Sequence, residues 1–341
     1  MIAKLHKIYL AFGIVSAFFL LSECKQDNRL NIELEANQPE LVWNRLDSSM
    51  FSSNEPSIEA INTWRSGSAG FFPIYLNRIL KLPVTNDTVL SQSIKDFVTN
   101  ADIVAIHRDT KQTFAHLSST QALLNEGFAH YHHYFPNKKL PIITTFISGF
   151  NLTIASTDSV LGIGLDMYLG KDYKFYHELS FPNYKTARMQ AAYIPYDAMK
   201  GWGQTEFEPK EELQDFLSNM VFNGKVLYFL DAMFPNGADS LKIGYTQTQL
   251  EFCKKNEPKI WAAFIEQKVL FSSVYREYSK YLSDGPTTNG FPRETPGMIG
   301  TFIGWQIVRK YMNENPSVTL PQLMQEMDAN KILTKSKYKP V

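Results

Sequence analysis

Cysteine is nearly absent: Cys24 and Cys253 are the only two in 341 residues. That excludes a disulfide-stapled scaffold and a cysteine-rich zinc module. An excess of one charge is absent too, since Lys plus Arg and Asp plus Glu both number 34. Such a chain is not built to neutralise many phosphates, so nucleic acid is not an expected partner. No apolar run reaches the roughly 17–25 residues that a membrane-spanning helix needs. Charge blocks, low-complexity tracts and internal repeats are missing from Val42 onward, which leaves no place to split the chain. What is present is ordinary for a folded protein: 44% hydrophobic and 20% charged residues, with aromatics at 13%.

Catalytic signatures are missing in the same way. There is no Gly-x-Ser-x-Gly elbow and no Walker or dinucleotide glycine loop; Gly162-Ile163-Gly164 lacks the third glycine and sits in a strand. A zinc peptidase of the HExxH type needs two histidines one helical turn apart with a glutamate between them. The His177-Glu178 pair places Phe181 where the second histidine belongs, and Pro182 ends any helix there. His130-Tyr131-His132-His133 reads as a polar helix end suited to the dipole. The adjacent Glu211-Glu212 diverge on a helix and form a solvated face. The expectation is no catalytic residue, no metal and no cofactor, although ligands can converge from distant segments.

The N-terminus is more specific. Lys4, His6 and Lys7 precede the apolar run Ile8–Leu21, the proportions of a secretory signal peptide. Leu21-Ser22-Glu23-Cys24 resembles a bacterial lipobox, with Glu23 departing from the small residue preferred before the cysteine. Cys24 is therefore the expected lipidation site, and an uncleaved N-terminal anchor is the alternative. The predicted organisation is a signal peptide at 1–23, a lipidated cysteine and polar tether at 24–41, and a single globular domain at 42–341. Removing residues 1–23 takes Lys4, Lys7 and Glu23, so the charge balance barely changes. Cys253 has no partner left within the mature chain and reads as a buried, inert thiol.

The predicted fold class is α+β, mainly helical with a small central sheet. Helical spacing runs from Thr88 to Asp109 and from Lys111 to His133. Three strands, Leu140–Ile147, Asn151–Ala155 and Val160–Leu165, read as a meander. Glu212–Met233 reads as an amphipathic helix, Thr246 with Gln249 as a capping box, and Pro258 as the first turn of a further helix. Thr295–Met312 reads as a buried helix whose Gly300-x-x-x-Gly304 allows close backbone approach.

Several phrases carry a resemblance. Asp166-Met-Tyr-Leu-Gly-Lys-Asp-Tyr-Lys-Phe-Tyr176, Lys242-Ile-Gly-Tyr-Thr246, Thr295 through Tyr311 and the tail Lys335-Ser-Lys-Tyr-Lys-Pro340 are similar to the gliding motility lipoprotein GldB family. Phe71-Phe72-Pro73 and Tyr134-Phe135-Pro136 agree. The resemblance implies a membrane-anchored envelope lipoprotein whose partners belong to the gliding and type IX secretion machinery; the expected orientation is toward the periplasm, with exposure at the cell surface as the alternative. The resemblance supplies a process and no catalytic residues. A more distant likeness, three strands followed by a long helix and a glycine-rich helix, is to zincin-like metallopeptidases. With the motif at Asn223–Leu227 the helix lacks HExxH and contains no histidine. The expectation is a non-catalytic assembly or scaffold lipoprotein. A zinc-dependent hydrolase and a solute-binding lipoprotein are the alternatives. The expected partner surface is a groove between Glu212–Met233 and Thr295–Met312, bearing Tyr228 and Trp305, with Arg309 keeping its edge near solvent. The alternative for both aromatics is the core.

Overall fold

The computed structural model describes residues 29–34, 38–83 and 85–341. The predicted signal peptide, Cys24 and part of the predicted tether lie outside the described residues. Contacts divide the chain into two units, Met1–Glu33 and Leu34–Val341. Of the first, residues 29–33 form a turn at Arg29–Leu30 and then irregular backbone.

The second unit opens with a short strand β1 (Trp43–Arg45) that runs into helix α1 (Leu46–Ser49). Five α-helices follow, α2 (Ile58–Gly67), α3 (Phe71–Ile74), α4 (Asp87–Thr99), α5 (Ala101–Thr113) and α6 (Ser118–Tyr134), with a π-helical turn at Tyr75–Ile79 after α3. Next come strands β2 (Ile142–Phe146), β3 (Ile154–Ser156) and β4 (Val160–Gly164). Helices then complete the chain: α7 (Lys174–Glu178), α8 (Asn183–Thr186), α9 (Ile194–Glu206), α10 (Phe216–Met233) and α11 (Asp239–Ile243). They continue with α12 (Gln247–Glu266), α13 (Tyr275–Leu282), α14 (Ile299–Glu314), α15 (Leu320–Gln325) and α16 (Ala329–Ser336). The mainly helical α+β class read from the sequence is the class observed.

The sheet is not a meander. Its order is β1-β2-β4-β3, with β1, β2 and β4 parallel and β3 antiparallel at the edge. Burial decides this order. Every residue of β4, Val-Leu-Gly-Ile-Gly, is buried on both faces, as a central strand requires, whereas β3 is half-buried throughout. Gly162 and Gly164 pack the sheet rather than bind a nucleotide. A Cβ on Gly162 would meet the Phe71 ring at 2.7 Å, and one on Gly164 would meet the Leu152 carbonyl at 2.2 Å. Phe71 and Phe146 thus cover one face, continuous with a core of Met50, Ile61, Tyr75 and Ile94. On the other face α9 lies against Ile154, whose Cγ2 is 2.6 Å from where a Cβ of Gly201 would stand.

Local chemistry also moved helix ends. The span read as one helix from Thr88 is two, because the Asn100 side chain accepts from the Asp102 and Ile103 amides and starts α5 anew. The break at Phe114–Leu117 likewise separates α5 from α6. The capping box at Thr246 and Gln249 is formed, yet Pro258 lies inside the single helix α12. That helix forgoes one backbone bond there and is held on both sides by buried Leu250, Cys253, Ile260 and Phe264. Helix α10 is not amphipathic: Val226, Phe229 and Leu230 are as buried as Leu217 and Met220. It is the central helix of its half, crossing α14 where Gly224 faces Gly304. A Cβ on Gly304 would stand 1.9 Å from the Met220 carbonyl oxygen, so the backbones themselves touch.

Candidate functional site: a polar pocket at the open edge of the sheet

That crossing closes the groove expected between α10 and α14. Trp305 is wholly buried and Tyr228 is 3% exposed, so both belong to the core. Arg309 does not hold an edge open. Its guanidinium lies 3.7 Å over the Trp305 ring and donates to Asp231 from Nε (2.7 Å) and Nη2 (2.8 Å). Asp231 also accepts from Trp305 Nε1 (2.8 Å) and from buried Lys242 (2.9 Å). Arg309 reaches on to Asp239 at 2.7 Å, and Lys254 adds a further bond to it. Burial raises the Asp239 carboxyl, but the bonds and charge of Arg309 and Lys254 outweigh it and bring it down to about 2. Every donor and acceptor named in this cluster has a partner, and the cluster ties α10, α11, α12 and α14 together. Asp231 and Lys242 escaped sequence reasoning because a lone aspartate near a helix end reads as surface.

Helix α10 commits its other polar residues to the fold as well. Lys225 is buried and donates to the carbonyls of Met324 (3.2 Å) and Glu326 (2.8 Å), and burial lowers its ammonium to about 8. Asn223 bonds back to the Asn219 carbonyl at 2.9 Å. These are the positions at which a zincin-like motif was sought. His130 is buried against the Glu126 carbonyl, and burial pushes the Cys253 thiol up to about 12. Among the described residues no three His, Cys, Asp or Glu side chains converge to hold a metal ion.

The receptive geometry lies elsewhere, in a cavity of about 660 Å³ beside β3. Its wall is built from three sources. Helix α9 presents Asp197, Lys200, Gly201 and Gln204, at helical spacing on one face. The loop before β3 and the strand itself supply Phe150, Asn151, Ile154 and Ser156. Lys185, Arg188 and Asp284 close the far side. Arg188 is ion-paired with Asp284, and Tyr168 donates to Asp197 at 3.0 Å. Burial raises the Asp197 carboxyl and lowers the Lys200 ammonium. Lys200 makes no hydrogen bond or ion pair among the described residues, and the buried Ser156 Oγ has no partner there either.

Asp166 sets the shape of this wall. It is fully buried and accepts from the Ser148 amide (3.0 Å), the Ser148 hydroxyl (3.0 Å) and the Phe150 amide (2.8 Å). Burial pushes its carboxyl up to about 6, against the downward pull of those bonds. The bonds hold Gly149 and Phe150 in consecutive left-handed conformations, a strained state for phenylalanine. Tyr176 braces the next turn, donating to the Asp166 carbonyl (2.6 Å) and accepting from the Leu169 amide (3.0 Å). Asp166 and Tyr176 begin and end the phrase that carried the sequence resemblance, which gives that phrase a structural task. The α9 face was the signal sequence reasoning passed over: a polar residue at every turn of an otherwise buried helix.

The family model described as gliding motility protein GldB matches residues 27–340. The chain belongs to the GldB family. The match contains the whole pocket, the Asp231 cluster and the α10–α14 crossing. No curated protein and no solved structure matches the chain. The likeness to zincins therefore rests on the order of elements alone. Among the described residues no helix is long and apolar enough to cross a membrane.

Proposed function

We propose that this GldB-family protein is a lipid-anchored envelope component of the gliding and type IX secretion machinery that acts by binding, in assembly or as a scaffold, and not by catalysis. The pocket carries the reading. Lys200 and the strand edge are receptive groups, but no reactive pair stands among them. No histidine lines the cavity, and the hydroxyls of Thr153, Ser156 and Thr205 make no hydrogen bond to a carboxylate or amine among the described residues. The Tyr168 hydroxyl, which donates to Asp197, is kept protonated because burial pushes the phenol up. A nucleophile without a base within reach is a weak one. Anchoring is supported by the lipobox-like Leu21-Ser22-Glu23-Cys24, which stands just ahead of the family-matched region. Stable attachment through acyl chains needs more than one chain, which a mature bacterial lipoprotein carries.

Replacing Cys24 with Ser tests the anchor. The expected outcome is an unprocessed precursor or a protein released from the membrane fraction, with gliding lost while total protein persists. Unchanged size and unchanged membrane retention would overturn the lipoprotein reading.

A further inference from the structure

We propose that the open edge of β3 is a binding site for an extended, acidic peptide segment, which adds to the sheet as a further strand with its carboxylate against Lys200. The register of the sheet supplies the first ground. Gly164 donates to the Thr153 carbonyl and Thr157 to the Val160 carbonyl, so Thr153, Ala155 and Thr157 face β4 with their backbone groups. In an antiparallel pair the intervening residues point the other way. The amides and carbonyls of Ile154 and Ser156 therefore face outward. Both residues line the cavity, and neither backbone makes a further bond among the described residues.

Two such residues lie about 7 Å apart along the strand, the repeat of an extended chain, which is the geometry of strand addition. Exposed edges are usually blunted by a lysine, a proline or a bulge. The segment Thr153-Ile-Ala-Ser-Thr157 contains none of these and is recessed in a cavity of about 660 Å³, the size of a peptide or small-ligand site. Charge supplies the second ground. Arg188 pairs with Asp284, and Lys200 feels the charge of Asp197, whose carboxylate accepts from Tyr168. The exposed Lys185 therefore leaves the wall with more cations than carboxylates, and Lys200 makes no direct bond of its own among the described residues.

This inference rests on the reading of the protein as a binding component, and its test is made on purified protein, apart from the anchoring and motility assays. The full-length protein in detergent is titrated with blocked pentapeptides of alternating Val and Thr. Each carries one Glu, placed in turn at every position, and matched forms have single backbone nitrogens methylated. Methylation at alternate nitrogens should weaken binding by about tenfold or more, because each removes a strand bond and leaves a carbonyl unpaired. Methylation at the nitrogens between them should leave binding unchanged. Exchanging the peptide's Glu for Gln should weaken it as well, and Lys200→Gln should remove the difference between the two peptides. Ser156→Pro deletes one outward amide without touching a bond to β4 and should weaken every peptide. Should that variant fail to fold, the methylation pattern on the native protein still decides. No binding by any peptide at about millimolar concentration, methylation effects without alternation, or glutarate competing as well as the peptides would overturn the proposal. The last outcome would mean a site for small anions alone.

Discussion

The Asp231 cluster and the β3 pocket both gather charged side chains, and they differ in whether those charges are satisfied. Asp231 accepts from Lys242, Trp305 and Arg309, and Arg309 goes on to Asp239. Nothing there is left to receive a ligand. In the pocket two carboxylates are engaged by Arg188 and Tyr168, while Lys200 makes no direct bond among the described residues and the outer edge of β3 stays open. A count of charges would rank the two alike. Saturation separates a structural clamp from a receptive surface, because a buried polar group that lacks a partner is costly and persists only when something offsets it.

The hardest way to break the comparison is to remove the centre of the clamp. Asp231→Ala strands Lys242 and Arg309 beside a buried Trp305, with the Lys242 side chain only 3% exposed. Taking one partner from a buried pair costs about 3–5 kcal/mol, so urea unfolding should shift by that amount. A loss below about 1 kcal/mol would mean that the cluster does not clamp the helices.

Acid should sharpen the contrast, since the two regions respond with opposite sign. Asp239 titrates at about 2 in the fold against an ordinary 3.8. Its contribution is present above pH 4, is lost as pH falls through 2, and amounts to about 2 kcal/mol. Asp166 is raised from 3.8 to about 6. Its contribution is present below pH 4 and is lost as pH rises through 6. Amide exchange followed from pH 7 to pH 3 should show the loop 148–152 gaining protection relative to α14. Parallel loss in both regions would contradict the assignment.

The smallest effect belongs to the pocket itself. Lys200→Gln removes a cation that makes no hydrogen bond or ion pair among the described residues and feels Asp197 only through space, so stability should change by no more than about 0.5 kcal/mol. A loss as large as that of Asp231→Ala would show that Lys200 is a structural residue and would erase the distinction.

These contrasts also mark where the sequence was legible. The helical α+β class, the capping box at Thr246 and the close approach at Gly300-x-x-x-Gly304 follow from local chemistry. Each depends on residues within a turn or two of one another. The strand order did not follow, because β2 and β4 pair across the intervening β3, and only burial on both faces puts β4 inside. For Trp305 the sequence leaves a surface edge and the core both open, since an arginine one turn after a tryptophan is compatible with either. The partners that bury them, Asp231 and Asp239, stand more than sixty residues earlier in the chain.

By itself the sequence determined the family, the lipobox-like Cys24, the even balance of charge, and local features such as the capping box at Thr246. Those features are written in contiguous residues, where spacing along the chain is spacing in space. Tertiary structure decided which charges are spent on the fold and which remain open. Asp197 and Asp231 are equivalent as letters, each an aspartate in a helix. One meets four donors from two other helices, and the other meets a tyrosine at the rim of a cavity. Satisfaction of a buried charge depends on partners brought from distant segments, and only the folded chain brings them together.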